Sequence, residues 1–454
     1  MKKFFSVILM CVLFVSVLAF SGCGEIVLKG GPSKTDSVTG NGSLSVRKGN
    51  YLYFVNGFVS NSSLTNKDNN YGVAKNGAIY RVKLNNGELT YDVSTDEDGN
   101  EVKTLKDVEL LVPKVVGFEY SDLHIFGDTL FFTSPNTEKD NSGKIRFDLT
   151  DVFAVNINGG KISKIVNALN ITSADQIKYS YIDEKVYVTY SNNNKLYNVK
   201  VSGSKIESVN LISENVTSFG AYENSDTVYY TRSFIEGENT SYGNVLCKAS
   251  LKDNKENVIF RDNENTFLIK KVTDQKIYYT RTNSLITNAY LYSLKLDDMN
   301  KDNEKQYTVV SYSENQYIYD LGLGFASGVI VSNNSKLLYV TGTNNIEKDI
   351  TLLYDGSFTV FGIYGEDVYG KDADGNIVKI NIENKSVLTL LEKNDNLKTD
   401  MSQNFDFENG YIYYYIKYTG DNSEEGYYLN RLNLKDKTTE LVGELLNKHI
   451  VTNK

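Results

Sequence analysis

The chain has no tryptophan, and its 454 residues include only three prolines, three cysteines and two histidines. Metal or catalytic chemistry built on imidazole and thiolate therefore has little to work with. So few cysteines also exclude a disulfide framework, so stability has to come from a buried core. Charge is in only modest excess: 48 basic side chains stand against 57 acidic ones, a net −9, which argues against nucleic acid as a partner. Hydrophobic residues make up 41% of the chain, enough to bury a large core and to rule out disorder as its main state. Among them are 34 Tyr and 21 Phe, residues that favour strands, so the composition predicts an all-β protein.

Lys2 and Lys3 precede a charge-free, mostly apolar run from Phe4 to Phe20, the pattern of an export signal. Phe20-Ser21-Gly22-Cys23 follows and resembles the lipobox of bacterial lipoproteins. The resemblance implies loss of residues 1–22 as a signal peptide and lipid on Cys23. The mature chain would then be anchored in a membrane, on the outer side of the bacterial cell membrane, with two or more acyl chains making the anchorage stable. An uncleaved anchor is an alternative, the run being close to the ~17-residue lower limit for a span, and so is a plain secretory signal. Cys11 leaves with the signal, so Cys247 would be the one free thiol, expected as a buried structural residue. Residues 23–43 comprise the lipidated Cys and a Gly, Ser and Thr-rich stretch that reads as a flexible tether. At ~5–6 Å × √n its r.m.s. reach is about 25 Å.

From Leu44 the sequence repeats. A strand ending in a Lys or Asn step recurs as IYRVKL at Ile79, VFAVNI at Val152, LYNVKV at Leu196, LCKASL at Leu246, LYSLKL at Leu291, LLYVTG at Leu337, IVKINI at Ile377 and LNRLNL at Leu429. A Tyr-rich apolar strand precedes each copy, as in KVYVTY at Lys185 or KIYYT at Lys276, and a further strand flanks the pair on each side. Four strands per unit, designated A to D, at a period near 50 residues with no helical pattern between them, predict a β-propeller. The eight copies give about eight four-stranded blades over residues 44–444, with 445–454 as a C-terminal tail. Seven blades are the alternative if the sixth and weakest unit is mis-assigned.

Tyr229-Tyr230-Thr231-Arg232, Tyr278-Tyr279-Thr280-Arg281 and Phe131-Phe132-Thr133-Ser134 resemble the Tyr-Trp-Thr-Asp strand of low-density-lipoprotein-receptor-related propellers. More closely, the chain is similar to uncharacterised bacterial surface lipoproteins that carry a propeller of that type. It departs from the receptor pattern in lacking Trp and the motif Asp, and in having eight units where the receptor family has six. The resemblance implies an architecture and no ligand.

No sequence motif calls for a cofactor or identifies a catalytic residue. Asp372-Ala373-Asp374-Gly375-Asn376 and the stretch from Asp96 to Asn100 space carboxylates as a calcium loop does, but Gly375 falls at the fourth position where an EF-hand needs the sixth, so a hairpin turn is expected and no metal site. Gly322 to Gly328 leads into a strand and reads as a turn. His124 and His449 lie far apart, without nearby thiols.

Loop lengths are more informative. In an up-and-down blade, B-to-C and D-to-A connections open on one face and A-to-B and C-to-D connections on the other. Long B-to-C connections are expected in blades 1, 2, 4 and 8, and the segment from Asp92 to Val116 is expected as a long D-to-A connection on the same face. This loop cluster, with Tyr71, Arg146, Phe147, Tyr242 and Tyr427, is the candidate ligand-binding site, since loops on a rigid scaffold commonly carry binding. The expected role is a membrane-anchored binding module for an extracellular glycan, peptide or protein. The alternatives are a polysaccharide hydrolase or lyase acting through loop carboxylates, and an envelope assembly scaffold.

Overall fold

Strand B is the least polar part of each repeat, and in the computed structural model it is also the most deeply buried. Tyr53, Phe54, Tyr230, Tyr279 and Tyr415 are all fully buried. The structure describes residues 25–57, 77–95, 99, 101–114, 116, 122–144, 146, 148–171, 176–233, 244–283, 286–312, 317–320, 329–332, 335–340, 350–393, 397–398, 404–406, 410–419 and 425–442. They form eight antiparallel blades of four strands around a central channel, an all-β propeller with one short 3-10 turn, Lys301–Asn303, among the described residues.

Blade 1 comprises Ser45–Lys48, Tyr51–Asn56, Ala78–Lys83 and Val108–Val112. Blade 2 comprises Leu123–Phe126, Thr129–Pro135, Thr150–Asn156 and Gly159–Leu169, and blade 3 Ile177–Ile182, Lys185–Asn192, Lys195–Ser202 and Lys205–Ser213. Blades 4 to 7 follow the same order, starting at Val216, Thr266, Tyr317 and Thr359. In blade 8 strand A is split into Leu397–Lys398 and Asn404–Asp406, both paired with Tyr411–Thr419.

The burial gradient across a blade explains the sequence pattern. Strand B packs against neighbouring blades on both faces, so it reads as a nearly continuous apolar run, as a strand covered on both sides should. All seven residues of Thr129–Pro135 are buried, whereas most of the outer strand Lys205–Ser213 is exposed or half-buried. Tyrosine supplies the large ring that tryptophan would, and three of the hydroxyls find partners at the core's edge: Tyr230 bonds Glu256, Tyr279 bonds Glu304 and Tyr415 bonds the Val55 carbonyl.

No strand is exchanged between the first and last blades among the described residues. The ring closes through side chains: Leu52, Phe54 and Tyr80 of blade 1 pack with Tyr411, Tyr413, Tyr415 and Leu429 of blade 8.

Two sequence expectations are corrected. The segment from Asp92 to Val116 is not a D-to-A connection. Tyr91–Thr95 pairs with Glu101–Leu105 as a separate hairpin, and strand D is Val108–Val112. The hairpin is thus a C-to-D insertion and leaves the loop cluster for the opposite face. Tyr91–Thr95 alternates as an outer strand would, but Val108–Val112 is the segment that buries Leu111 and Val112. Secondly, residues 25–43 are docked on the propeller. Val27 bridges Gly159, Leu28 and Val38 pack on the core between blades 1 and 2, and Val38–Thr39 adds an innermost strand to blade 1. The Gly, Ser and Thr content concealed these few apolar anchors.

Candidate functional site

Of the loop-cluster residues, Tyr71, Phe147 and Tyr242 lie outside the described residues, as do Cys23, His449, Asp96 and the stretch from Gly322 to Gly328. Tyr427 is placed in strand C of blade 8, opposite Lys417, by its backbone alone. Arg146 is in the B-to-C loop of blade 2, where its guanidinium is neutralised by Asp148 at 2.8 Å. That loop is pinned at its base by the buried Asp151 carboxylate, which accepts from Asn136 Nδ2 at 2.7 Å and from the Ala168 amide at 2.8 Å. Of the five residues, the structure thus describes Arg146 and the backbone of Tyr427. Asp372 accepts from the Asn376 amide and side chain at 2.8 and 3.0 Å, the hydrogen bonding of a turn.

A better-formed site lies at the A-to-B end of the channel. A groove of about 590 Å³ runs between Lys34 to Asn41 of the docked segment and the A-to-B turns of blades 2, 3 and 4. Asn41 ties its walls together, accepting from the Ile125 amide at 2.8 Å and donating to Glu223 at 2.6 Å. Lys48 is buried, with Nζ donating to the Lys34 and Asp36 carbonyls at 3.1 and 2.9 Å. Burial lowers its pKa, against the pull of Asp128 and Asp36. The lip is formed by Glu184, which pairs with Lys34 at 2.9 Å from a backbone φ of +60°. Asp183, with φ +49°, completes a two-residue turn of the kind that normally selects Asn and Gly.

Phe126 and Tyr181 stack at 5.7 Å on the groove wall. From there aromatic contacts continue between blades 2 and 3 through Tyr179, 6.1 Å from Phe126, to His124, 4.3 Å from Tyr179. His124 Nε2 meets Asp122 at 3.0 Å, but His124 Nδ1, the second Asp122 oxygen and the Tyr179 hydroxyl are buried without a hydrogen-bond partner. Burial, and secondarily Asp122, raise the Tyr179 pKa well above its usual value.

Among the described residues no three His, Cys, Asp or Glu side chains are grouped so as to hold a metal ion. The groove is lined by Asp36, Glu184 and Glu223, by Lys34 and Lys48, and by the half-buried Tyr181 ring, an arrangement suited to a polar ligand. Sequence reasoning missed it because its walls come from segments up to about 190 residues apart, joined only when the N-terminal stretch docks.

No protein-family model matches this chain, and no curated protein does. Among solved structures it is similar to an oligogalacturonate lyase from Vibrio parahaemolyticus, at 11% identity, covering 75% of this chain and 96% of that one with a TM-score of 0.40. It is similar also to a prolyl endopeptidase, at 10% identity, 71% and 48% coverage and a TM-score of 0.43, so it spans about half of that chain. A third likeness is to a chain of a nidogen/laminin complex, at 12% identity, 53% and 89% coverage and a TM-score of 0.31.

Proposed function

We propose that the protein is a binding module, held on the outer side of a bacterial membrane by lipid on Cys23, that takes a glycan, peptide or protein segment in the groove at the A-to-B end of its channel. The observation that carries this reading is the groove itself, whose rings and carboxylates are mounted on strand ends and tied by Asn41. Carboxylates beside the half-buried Tyr181 ring favour hydroxyl donors stacked on an aromatic face, so a glycan is the first ligand to test. The lipobox-like Phe20-Ser21-Gly22-Cys23 supports the anchor.

Glycan and peptide arrays probed with the purified full chain test this directly. Binding should appear on at least one class, and Glu223→Gln or Tyr181→Ala should weaken it by an order of magnitude. Wild-type binding that both variants retain would move the ligand elsewhere on the ring. Polysaccharide cleaved during the assay would put the hydrolase or lyase reading in its place.

A further inference from the structure

The docked segment leaves almost no free chain between the proposed lipid and the propeller. Val27 pairs with Gly159 in the C-to-D turn of blade 2, and the Leu28 amide donates to the Asn158 carbonyl at 2.8 Å. Arg81, with its side chain fully buried, holds the same junction: its guanidinium donates to Asn158 Oδ1 at 2.6 Å and to the Lys29 carbonyl at 3.2 Å. Gly159 has φ +88°, and a Cβ there would lie 2.0 Å from the Ile26 carbonyl, so only glycine admits this approach. Cys23 is four residues from Val27, which limits their separation to about 14 Å even when fully extended.

We propose that the blade 1 to 3 rim of the A-to-B and C-to-D face lies against the lipid surface, and that the B-to-C loops point away from it. This rests on the anchoring reading above. Strand D of blade 2 runs Gly159–Leu169. At ~3.3 Å per residue the strand is about 33 Å long, so the B-to-C end of the blade stands up to that much farther from the attachment. The rim's chemistry suits an anionic bilayer. Val27 is 71% exposed, Ile206 is exposed on the next C-to-D turn, and Lys29, Lys161 and Lys205 are exposed beside them. Two of the neighbouring carboxylates are engaged, Glu207 by Lys185 and Lys200 and Glu184 by Lys34, while Glu25 is exposed beside Val27. Basic residues near such a surface add attraction to that of the acyl chains. The groove opens on the same face, which places its ligand between ring and bilayer.

The test uses the full-length acylated protein in vesicles of phosphatidylcholine with a minority of phosphatidylglycerol. A fluorophore is attached at Lys161→Cys, Lys205→Cys or Asn141→Cys, the last in the B-to-C loop of blade 2. Cys247, being buried, stays unlabelled in the native protein. Brominated phospholipids should quench the first two sites several-fold more than the third. Equal quenching at all three, or stronger quenching at residue 141, would overturn the orientation. Leu28→Pro, which removes the amide that bonds Asn158, and Gly159→Ala should bring the three sites toward equality; a contrast that survives both would overturn docking as its cause. Incorporation of labelled palmitate into wild type but not Cys23→Ala tests the anchor separately. Failure there overturns the anchoring reading, whereas acylation with even quenching overturns the orientation alone.

Discussion

The guanidinium of Arg431 in the last blade reaches the carboxylate of Glu88 in the first at 3.0 Å, and the Tyr411 hydroxyl bonds the same carboxylate at 2.6 Å. The Arg431 side chain is fully buried, lies 4.0 Å over the Tyr411 ring and also meets Glu440 at 2.6 Å. With no exchanged strand among the described residues to close the ring, this cluster and the apolar packing beneath it carry the closure. Arg431→Ala should therefore lower stability by about 3 kcal/mol, the low end for a broken buried pair, because both carboxylates are partly exposed and can hydrate. Urea unfolding measures it. Arg431→Met, which keeps the bulk, should recover part of the loss. No change in either variant would mean that apolar packing alone closes the ring.

How much of this was legible in the sequence depends on the range of the interaction. The blades were readable because each is built from consecutive strands, and Tyr229-Tyr230 or Tyr278-Tyr279 announce a strand buried on both faces. The closure was not, since Glu88 lies in a turn that reads as a hairpin and meets a partner 343 residues away. The groove was hidden for the same reason. Asn41 sits in a stretch that looks like linker, and it acquires a role only when Leu28 and Val38 find the core between blades 1 and 2.

Asp262 joins blades 4 and 5. Its nearly buried carboxylate meets Arg281 at 2.9 Å and Lys301 at 3.0 Å. Burial alone would raise its pKa, but the Glu264 amide, Lys301 and Asn265 outweigh it and hold the carboxyl at about 2. A carboxyl that is more acidic in the folded than in the unfolded chain stabilises the fold above the unfolded pKa, and that stability disappears as pH falls through the folded value. Between about pH 4 and pH 2 the wild type should lose on the order of 1–2 kcal/mol from this group. Asp262→Asn should be less stable than wild type at pH 7, with the gap closing toward pH 2. Parallel acid-unfolding curves for the two proteins would refute the assignment.

Docking of the N-terminal segment makes its own prediction. Asn41→Ala removes both the acceptor for the Ile125 amide and the donor to Glu223. A partly buried amide left without a partner costs about 1–3 kcal/mol. The loss should appear as faster hydrogen exchange at Ile125 and as cleavage by protease within residues 25–43, with the blades unaffected. Exchange that stays slow there would show that Leu28 and Val38 suffice to hold the segment.

Glu184 offers the sharpest separation of stability from function. A side chain other than Gly or Asn at φ +60° carries roughly 1–2 kcal/mol of backbone strain. The ion pair with Lys34 does not repay it, because that pair is solvent-exposed and such pairs contribute little. What the strain does is hold a carboxylate at the lip of the groove. Glu184→Gly should therefore raise thermal stability while weakening binding of whichever glycan or peptide the array identifies, a trade typical of strained residues at functional sites. If the variant is more stable and binds as well as wild type, the carboxylate is not part of the site. If it is less stable, the Lys34 contact holds the docked segment in place more strongly than exposed pairs usually do.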